Sequence, residues 1–581
     1  MPRKKQENTS YDSLDITRGG IWIIGKNGPY KVCNFGLRIL FRIQSPYGDI
    51  SWLIAVQQQQ GDDTIIPMTN KEFASPGSFH EVLLKYGFVF RGDKVELHLI
   101  KEALIPDAEQ AEAVSSLGFH AGSGLYFFFN GALTPGGAFL PPDANGMIRY
   151  EKHAYFLPFA QEANSKNVKT LMRYQYEQGK TTAEAWIKLI AAAHSRKAVI
   201  PVCFKLAALF RDIAFQQCHF FPILYLRGVP GAGKSTCARS MTAIDGKPQE
   251  DANLKSPNTT KSIPRRLEQV SNSAVWFDEY DNHLNEGVLG TLQAAYDGGG
   301  YQRAVNGFSN LTNSIDINSA LILTANPTPD TEFMRQRCVF ITFADPKKTN
   351  EQREAFSRLT GLELGNLSSV IAELLSYRAL IAKEWKKTHH ALYQAWIKAL
   401  PNVESRICNN LAVIMTPAII LQKAKKLDIQ KLFGLKESLQ ETGQACCAAQ
   451  QEILSGKSDL TQFFEILAYC AERRILKEGE DYMYSKDGKR LAIRMPRVYP
   501  VYLREFRALY NRVGAERADL LGELSRHACY MGEGNCKFRH SERRGSYAAL
   551  KIDADKMAIS FPLMMPRQPH SAGEDDLNEP Q

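Results

Sequence analysis

An apolar strand, a glycine-rich turn and a helix follow one another over residues 221–240, FPILYLRGVPGAGKSTCARS. The turn fits G-x-x-x-x-G-K-[ST], the pattern of a phosphate-binding loop, or P-loop. In this pattern the glycines let backbone N–H groups surround phosphate oxygens, the lysine reaches the terminal phosphates and the hydroxyl ligates Mg²⁺. The start of the helix adds the positive end of its dipole. We therefore expect an α/β fold that binds ATP and Mg²⁺ through Gly228, Gly231, Gly233, Lys234, Ser235 and Thr236.

Composition limits the class of protein. The chain has 581 residues, 44% of them hydrophobic and 23% charged, as in a globular protein of several domains. We find no apolar run close to the ~20 residues needed to span a bilayer, and the start, MPRKKQENTS, lacks the apolar region of a signal peptide. We expect a cytoplasmic protein without a membrane partner. Eleven scattered cysteines suit reduced thiols, and the net charge of +9 favours a polyanionic partner.

A second apolar strand, AVWF over residues 274–277, ends in two adjacent carboxylates, Asp278 and Glu279. In P-loop enzymes the first carboxylate supports Mg²⁺, and the second can polarise the attacking water. Alone, such a dipeptide at the end of a strand carries little information. Because it follows a P-loop, we expect Asp278 to be a metal ligand together with Ser235, and Glu279 to be catalytic.

A third apolar strand, ALILTA over residues 320–325, is followed by Asn326. An amide at this point can orient the hydrolytic water or contact the γ-phosphate. Arg335 and Arg337 then precede another strand, over residues 339–343. Each arginine can reach the nucleotide of a neighbouring subunit as an arginine finger, or can form an ordinary surface ion pair. We expect Asn326 and one of the two arginines to be catalytic.

Changes in residue pattern divide the chain into segments. We expect a flexible arm over residues 1–17, a β-rich N-terminal domain over 18–165, the P-loop core with its preceding helices over 166–350, a helical region over 351–455, a winged-helix-like domain over 456–566 and a disordered tail over 567–581. The winged-helix prediction rests on helices over 460–474, 502–512 and 517–530, a hairpin turning at Asp487-Gly488, and a strand over 547–552.

The order of P-loop, strand with Asp-Glu, strand with Thr-Ala-Asn and trailing arginine resembles the AAA+ ATPases. Within them it is similar to the superfamily 3-like helicases of phages, plasmids and other mobile elements, as is the stretch NTTKSIPRRL over residues 258–267. The segments GPY (28–30), GFH (118–120) and YFLP (155–158) resemble an uncharacterised domain often fused in front of such helicases. The resemblance implies a ring, usually of six identical subunits, that translocates on nucleic acid.

Two further groups of residues are candidates for nucleic-acid contact. Asn306-Gly307 between short strand-like runs predicts a hairpin, and the resemblance implies that such a hairpin projects into the pore, where Arg303 and Phe308 would contact phosphate and base. A basic cluster near the C-terminus, Arg539, Arg543 and Arg544, would touch the backbone of the nucleic acid. The alternatives are an ordinary surface hairpin and solvated charge.

Close to this cluster, four residues have the types of zinc ligands: His527, Cys529, Cys536 and His540. Their spacing, H-x-C-x₆-C-x₃-H, is not one of the usual zinc patterns. We therefore favour the interpretation that these residues belong to the helix and loop of the winged-helix-like domain.

Taken together, the motifs predict an oligomeric, ATP-hydrolysing DNA helicase of a phage or mobile element, acting on single-stranded or forked DNA. A nucleotide-switched DNA-binding regulator without unwinding activity is the alternative from another class. A primase-helicase is a second alternative, although no carboxylate pattern typical of a primase stands out in the N-terminal part.

Overall fold

The chain folds as a mixed α/β protein in which sheets alternate with groups of helices along the sequence. The computed structural model describes residues 9–11, 14–17, 19–25, 28–158, 168–228, 230–250, 252–254, 262–282, 284–299, 301–304, 312–315, 317–326, 328–329, 331–343, 348–454, 459–510, 514–525, 527, 529–538 and 546–560. Among these residues, no helix combines the length and the apolar character that a membrane crossing needs.

The N-terminal part is built mainly from antiparallel strands. Its strands are β1 (Thr9–Tyr11), β2 (Leu14–Thr17), β3 (Gly20–Gly25), β4 (Gly28–Cys33), β5 (Gly36–Gln44), β6 (Ile50–Gln57), β7 (Thr64–Thr69), β8 (Glu109–Ala113), β9 (Leu117–Phe119), β10 (Tyr126–Phe128), β11 (Gly131–Leu133), β12 (Phe139–Leu140), β13 (Met147–Tyr150) and β14 (His153–Phe156). Helices α1 (Pro76–Lys85) and α2 (Lys94–Leu104) lie between β7 and β8. Two sheets have the orders β1-β2-β3-β4 and β13-β14-β8-β5-β6-β7.

The first two strands lie inside residues 1–17, for which we expected a flexible arm. Leu14 and Ile16 of β2 pair with β3 and are buried. Alternate residues of a strand face the same side, so two apolar residues two positions apart are enough to fix β2 on a core. The expectation of a flexible arm is therefore wrong for residues 14–17, and β1 extends the same sheet through residues 9–11.

The central part contains the strand that leads into the phosphate loop. In chain order it consists of α3 (Ala183–His194), α4 (Val199–Ala208), α5 (Arg211–Cys218), β15 (Ile223–Gly228), α6 (Lys234–Ala243), α7 (Ser262–Glu268), β16 (Val270–Ser271), β17 (Ala274–Phe277), α8 (Glu286–Asp297), β18 (Tyr301–Ala304), β19 (Thr312–Ile315), β20 (Ala320–Ala325), α9 (Glu332–Arg337) and β21 (Cys338–Phe343). We call this part the P-loop unit.

Four strands of the P-loop unit form a sheet in the order β17-β20-β15-β21, and every neighbouring pair is parallel. Nearly all of their residues are buried, as expected for strands covered on both faces. Because the four strands run in one direction, the residues that follow β15, β17 and β20 meet at one edge of the sheet. Strand order thus brings the three sequence motifs together.

A helical region follows the sheet. Its helices are α10 (Asn350–Leu364), α11 (Ser368–Leu375), α12 (Arg378–Ala399), α13 (Ser405–Lys423), α14 (Ile429–Leu432) and α15 (Leu439–Leu454). Buried apolar residues of this region, among them Trp385 and Trp396, belong to the same hydrophobic cluster as residues of α3, α4, β15 and α6. The helical region therefore shares a core with the P-loop unit.

The last part of the described chain combines a small sheet with helices. It contains α16 (Asp459–Glu472), β22 (Tyr482–Tyr484), β23 (Arg490–Ile493), α17 (Met495–Tyr510), α18 (Arg517–Leu524), β24 (Tyr530–Lys537), β25 (Ser546–Asp553) and α19 (Ala554–Ser560), with the sheet order β22-β23-β25-β24. The helix expected over 517–530 ends at Leu524, and β24, which sequence periodicity missed, begins at Tyr530. The winged-helix assignment stays a prediction.

The N-terminal part joins the P-loop unit through a shared sheet, β12-β11-β10-β9-β16, in which β9 and β16 are parallel. Gly118 pairs with Ser271, has a φ of 92°, and would place a Cβ 1.9 Å from the Ser271 carbonyl oxygen. Only glycine fits this contact. The segment GFH over residues 118–120 therefore acts as a docking point on the P-loop unit.

Candidate active site

The phosphate loop joins β15 to α6 and depends on glycines with positive φ. Gly228 has a φ of 136°, and a Cβ there would lie 2.0 Å from the carbonyl oxygen of Phe343 in β21. Gly233 has a φ of 99° and is the N-terminal cap of α6, a conformation that residues with a Cβ seldom adopt. Gly231 also has a positive φ, 78°. The glycine spacing thus reflects close packing at the strand end and a sharp turn into the helix.

Lys234, the first residue of α6, points across the sheet edge toward β20. Its Nζ donates to the Gly228 carbonyl oxygen at 2.8 Å and to Asn326 Oδ1 at 2.9 Å, and the residue is 8% exposed. Burial lowers the pKa of Lys234, and the nearby charge of Asp278 acts in the opposite direction. The ammonium is therefore already positioned between the loop and the residue that follows β20.

Asp278 lies beside the hydroxyl of Ser235. Ser235 Oγ donates to Asp278 Oδ2 at 3.2 Å, and Thr324 of β20 donates its hydroxyl to Asp278 Oδ1. Thr324 Oγ1 in turn accepts a hydrogen bond from Trp276 Nε1 at 2.8 Å. Sequence reasoning assigned no role to Thr324, although its place in the strand that ends in Asn326 was a usable signal.

The residues present fit the magnesium ion that a P-loop implies. Mg²⁺ prefers oxygen ligands and usually takes only one or two from the protein, with the remainder from water and phosphate. Ser235 Oγ and Asp278 Oδ2 supply such a pair at the positive end of α6. Thr236 is turned away from them, because its hydroxyl donates to the Gly233 carbonyl oxygen at 2.8 Å.

Glu279 has an unusual backbone and a partner that the sequence did not reveal. Its φ is 56°, its backbone N–H donates to Asp278 Oδ1 at 2.9 Å, and its Oε2 accepts from Asn253 Nδ2 at 2.5 Å. A residue with a Cβ at positive φ is strained, and such strain is typical of functional positions. Asn253 also forms an isolated parallel bridge with Asp278. No motif pointed to Asn253, because its contact depends on a segment outside the three motif-bearing strands.

Arg335 and Arg337 lie at the opposite edge of the sheet from the phosphate loop. Arg337 immediately precedes Cys338, which pairs with Ile223, the first residue of β15. Arg337 is therefore about one strand length away from the phosphate loop at the carboxyl end of β15, and Arg335 precedes it by two residues in α9.

The Arg337 guanidinium contacts an acidic side chain and two aromatic rings of the same chain. Its Nη2 is 3.5 Å from Asp297 Oδ2, and its guanidinium lies 5.2 Å from the Tyr296 ring centre and 5.9 Å from that of Phe333. It lines a cavity of about 360 Å³ that also includes Arg406. The Nε atom of Arg335 is buried and has no hydrogen-bond partner within the described part of the chain.

The expected nucleic-acid contacts fall largely outside the described residues. Strands β18 and β19 pair antiparallel on either side of the predicted Asn-Gly turn, and Arg303 lies in β18 opposite Asn313. Phe308, Arg539, Arg543 and Arg544 lie outside the described residues, as does His540. In the part of the chain that the structure describes, no group of three or more His, Cys, Asp or Glu side chains could hold a metal ion.

Comparisons with known proteins give a relationship at the level of the fold. Neither a protein-family model nor a curated protein matches the sequence. Among solved structures, an SCCmec type IV Cch active helicase matches with a TM-score of 0.50 and 13% identity, over 95% of this chain and 99% of that chain.

Two further structures match more weakly. One is the C-terminal region of NrS-1, with a TM-score of 0.28 and 12% identity over 73% of this chain and 88% of that chain. The other is a mutant of Thermotoga maritima RuvB, with a TM-score of 0.19 and 14% identity over 48% of this chain and 78% of that chain. The fold comparison therefore rests on the Cch structure. This chain shares the fold of a helicase over nearly its whole length.

Proposed function

We propose that this protein is an ATP-hydrolysing DNA helicase that acts on forked or single-stranded DNA. In this proposal it works as a ring of identical subunits during replication of a phage or mobile element. The observation that carries the proposal is the convergence of Lys234, Ser235, Asp278 and Asn326 at the carboxyl edge of four parallel strands. The likeness in fold to an active helicase, over 95% of this chain, supports it.

Each residue at this edge has a role that follows from its contacts. Bound Mg²⁺ neutralises phosphate charge, and Ser235 and Asp278 would hold it. Lys234 would reach the terminal phosphates, and Asn326, whose Oδ1 is 2.9 Å from the Lys234 ammonium, would sense the last phosphate. Glu279 takes the proton of the attacking water once its hydrogen bond with Asn253 opens.

A trans-acting arginine completes the site in this proposal. Because Arg335 and Arg337 lie at the sheet edge away from their own phosphate loop, either would act on the nucleotide of the next subunit. Arg337 is already engaged by Asp297 and by two aromatic rings. We therefore assign the finger to Arg335 and a supporting position to Arg337.

DNA contact is assigned to the hairpin of β18 and β19 and to the C-terminal basic cluster. Arg303 and Phe308 would face the pore, and Arg539, Arg543 and Arg544 would contact backbone phosphates. The support is the residue chemistry, because arginine binds phosphate and aromatic rings stack on bases.

The primary test is ATP hydrolysis by the purified full chain, with and without single-stranded DNA, followed by strand displacement on a forked duplex. We expect stimulation by single strands and displacement of one strand, both abolished in Lys234→Ala and Glu279→Gln. Hydrolysis stimulated only by duplex DNA, without displacement, would instead indicate a nucleotide-switched regulator.

The trans assignment is tested by mixing subunits. Lys234→Ala subunits keep their arginines, and Arg335→Ala subunits keep an intact phosphate loop, so a mixture should regain hydrolysis that neither variant has alone. Arg337→Ala is the matched comparison and should keep part of its activity without mixing. No recovery in mixtures that still assemble would refute Arg335 as the finger.

A further inference from the structure

A second cluster of polar residues lies at Gly233, where α6 begins. A Cβ at Gly233 would be 3.3 Å from Thr236 Oγ1, 3.8 Å from Lys348 Nζ and 3.9 Å from His194 Nδ1. His194 is the last residue of α3, and Lys348 lies two residues before α10. An imidazole and an ammonium thus come from two distant segments to the turn that begins the phosphate-loop helix.

The His194 side chain is buried, and one of its two ring nitrogens lacks the partner that a buried polar group needs. It is 6% exposed, and within the described residues its Nε2 has no hydrogen-bond partner. Burial, with a smaller contribution from the charge of Lys348, lowers its pKa to about 4, so the ring is neutral at pH 7 and keeps one N–H to donate. The Phe356 ring closes the cluster, 6.3 Å from the His194 ring centre and 4.9 Å from Lys348 Nζ.

The order of the strands decides which end of a nucleotide meets this cluster. Asp278 and Asn326 follow β17 and β20, on one side of β15, whereas Lys348 follows β21, on the other side. The residues that would hold Mg²⁺ and activate water fix the terminal phosphate on the β17 side. The opposite side is therefore left for the end of the phosphate chain that is attached to the nucleoside.

We propose that His194 and Lys348 bind the phosphate nearest the nucleoside and form a second wall of the nucleotide site. This inference depends on the proposed function in one respect, namely that the ligand is a nucleoside di- or triphosphate. An ammonium and an imidazole N–H suit phosphate oxygens, and charge-assisted hydrogen bonds are the stronger kind. Because both ADP and ATP carry this phosphate, the two residues should contribute to the binding of each.

The experiment measures the affinity of the full chain for ADP and for ATP by calorimetry, in a Glu279→Gln background that prevents hydrolysis. Lys348→Met keeps the stem over Phe356 and removes the charge, and we expect about tenfold to 100-fold weaker binding of both nucleotides. His194→Leu should weaken both as well, whereas His194→Asn, which retains an N–H donor, should recover part of the loss. Lys188→Met, on the exposed side of α3, is the matched control and should bind as the parent does.

Three outcomes would overturn the inference: unchanged affinity in folded Lys348→Met, a loss for ATP but not ADP, or an altered preference between adenine and guanine nucleotides alone. The second would place the contact at the terminal phosphate and the third at the base. Thermal melts confirm folding, and Lys348→Met decides if His194→Leu does not fold. A parent chain that binds nucleotide but neither hydrolyses it nor unwinds DNA would refute the proposed function and leave this inference standing.

Discussion

A buried ion pair joins Lys205 of α4 to Asp245, which follows α6, the helix that begins at the phosphate loop. Breaking this pair tests whether it stabilises the packing of α6 in the core. Lys205 Nζ is 2.7 Å from Asp245 Oδ1, and the two side chains are 0% and 1% exposed. Burial lowers the pKa of Lys205, and the adjacent Asp245 carboxylate partly offsets this. Within the described residues, Asp245 Oδ2 has no hydrogen-bond partner. The pair therefore depends on a single contact.

Lys205→Met should destabilise the P-loop unit by about 3–5 kcal/mol, because it leaves a carboxylate buried without a counter-ion. Lys205→Met/Asp245→Asn should recover at least half of the loss, since the double variant buries no charge. The assay is urea denaturation followed by tryptophan fluorescence. Lys188→Met, which breaks an exposed pair with Glu184 on α3, is the control and should leave the midpoint nearly unchanged.

The reasoning would be refuted by a loss below about 1 kcal/mol in Lys205→Met, or by a double variant no more stable than the single one. Either result would mean that water or a rearranged side chain solvates Asp245. The buried charge would then not be the source of the cost.

Three further predictions concern the backbone, acid stability and the acidic pair. Gly118→Ala should lower the free energy of unfolding by about 3 kcal/mol or more, because the added Cβ overlaps the Ser271 carbonyl oxygen and the residue is strained at positive φ. Gly137→Ala, which has a φ of 84° but open space around it, should cost only about 1–2 kcal/mol. Equal losses in denaturation would contradict this prediction. The folded pKa of His194, about 4, lies below the unfolded value of 6.5, so the histidine stabilises the fold above pH 6.5 and loses this contribution as the pH falls toward 4. His194→Gln should therefore remove up to about 2 kcal/mol of the stability that the protein loses between pH 7 and 5. Identical pH profiles of the two chains in denaturation would oppose this prediction. Asn253→Ala should raise steady-state ATP hydrolysis without DNA severalfold, because the Glu279 carboxylate loses a hydrogen bond that competes with water, and an unchanged rate would count against this role.

Features formed by residues contiguous in the chain could be predicted from sequence alone. The phosphate loop is a short pattern whose glycines are required by local backbone angles, as Gly233 with its φ of 99° illustrates. The strands that lead to Asp278 and Asn326 are apolar runs, typical of a sheet covered on both faces. The α/β fold was accessible from the sequence for this reason.

Prediction was weaker where a strand is short or mostly polar. Strand β2 was taken for part of an arm, and β24, YMGEGNCK, was partly assigned to a helix. The alternation along β24 has few apolar residues to mark it. Its place is fixed instead by pairing with β25, whose residues come later in the chain.

Only the tertiary structure decided which distant residues meet at the phosphate loop. Asn253 reaches Glu279 through an isolated bridge beside Asp278, and Thr324 reaches Asp278 because β17 and β20 are parallel neighbours. His194 and Lys348 meet over Gly233 because α3, which ends at His194, packs against α10, which begins two residues after Lys348. Sequence alone determined the phosphate loop and Asp278, since both belong to local patterns. The contact between His194 and Lys348 was decided by packing between segments more than a hundred residues apart, for which no local pattern exists.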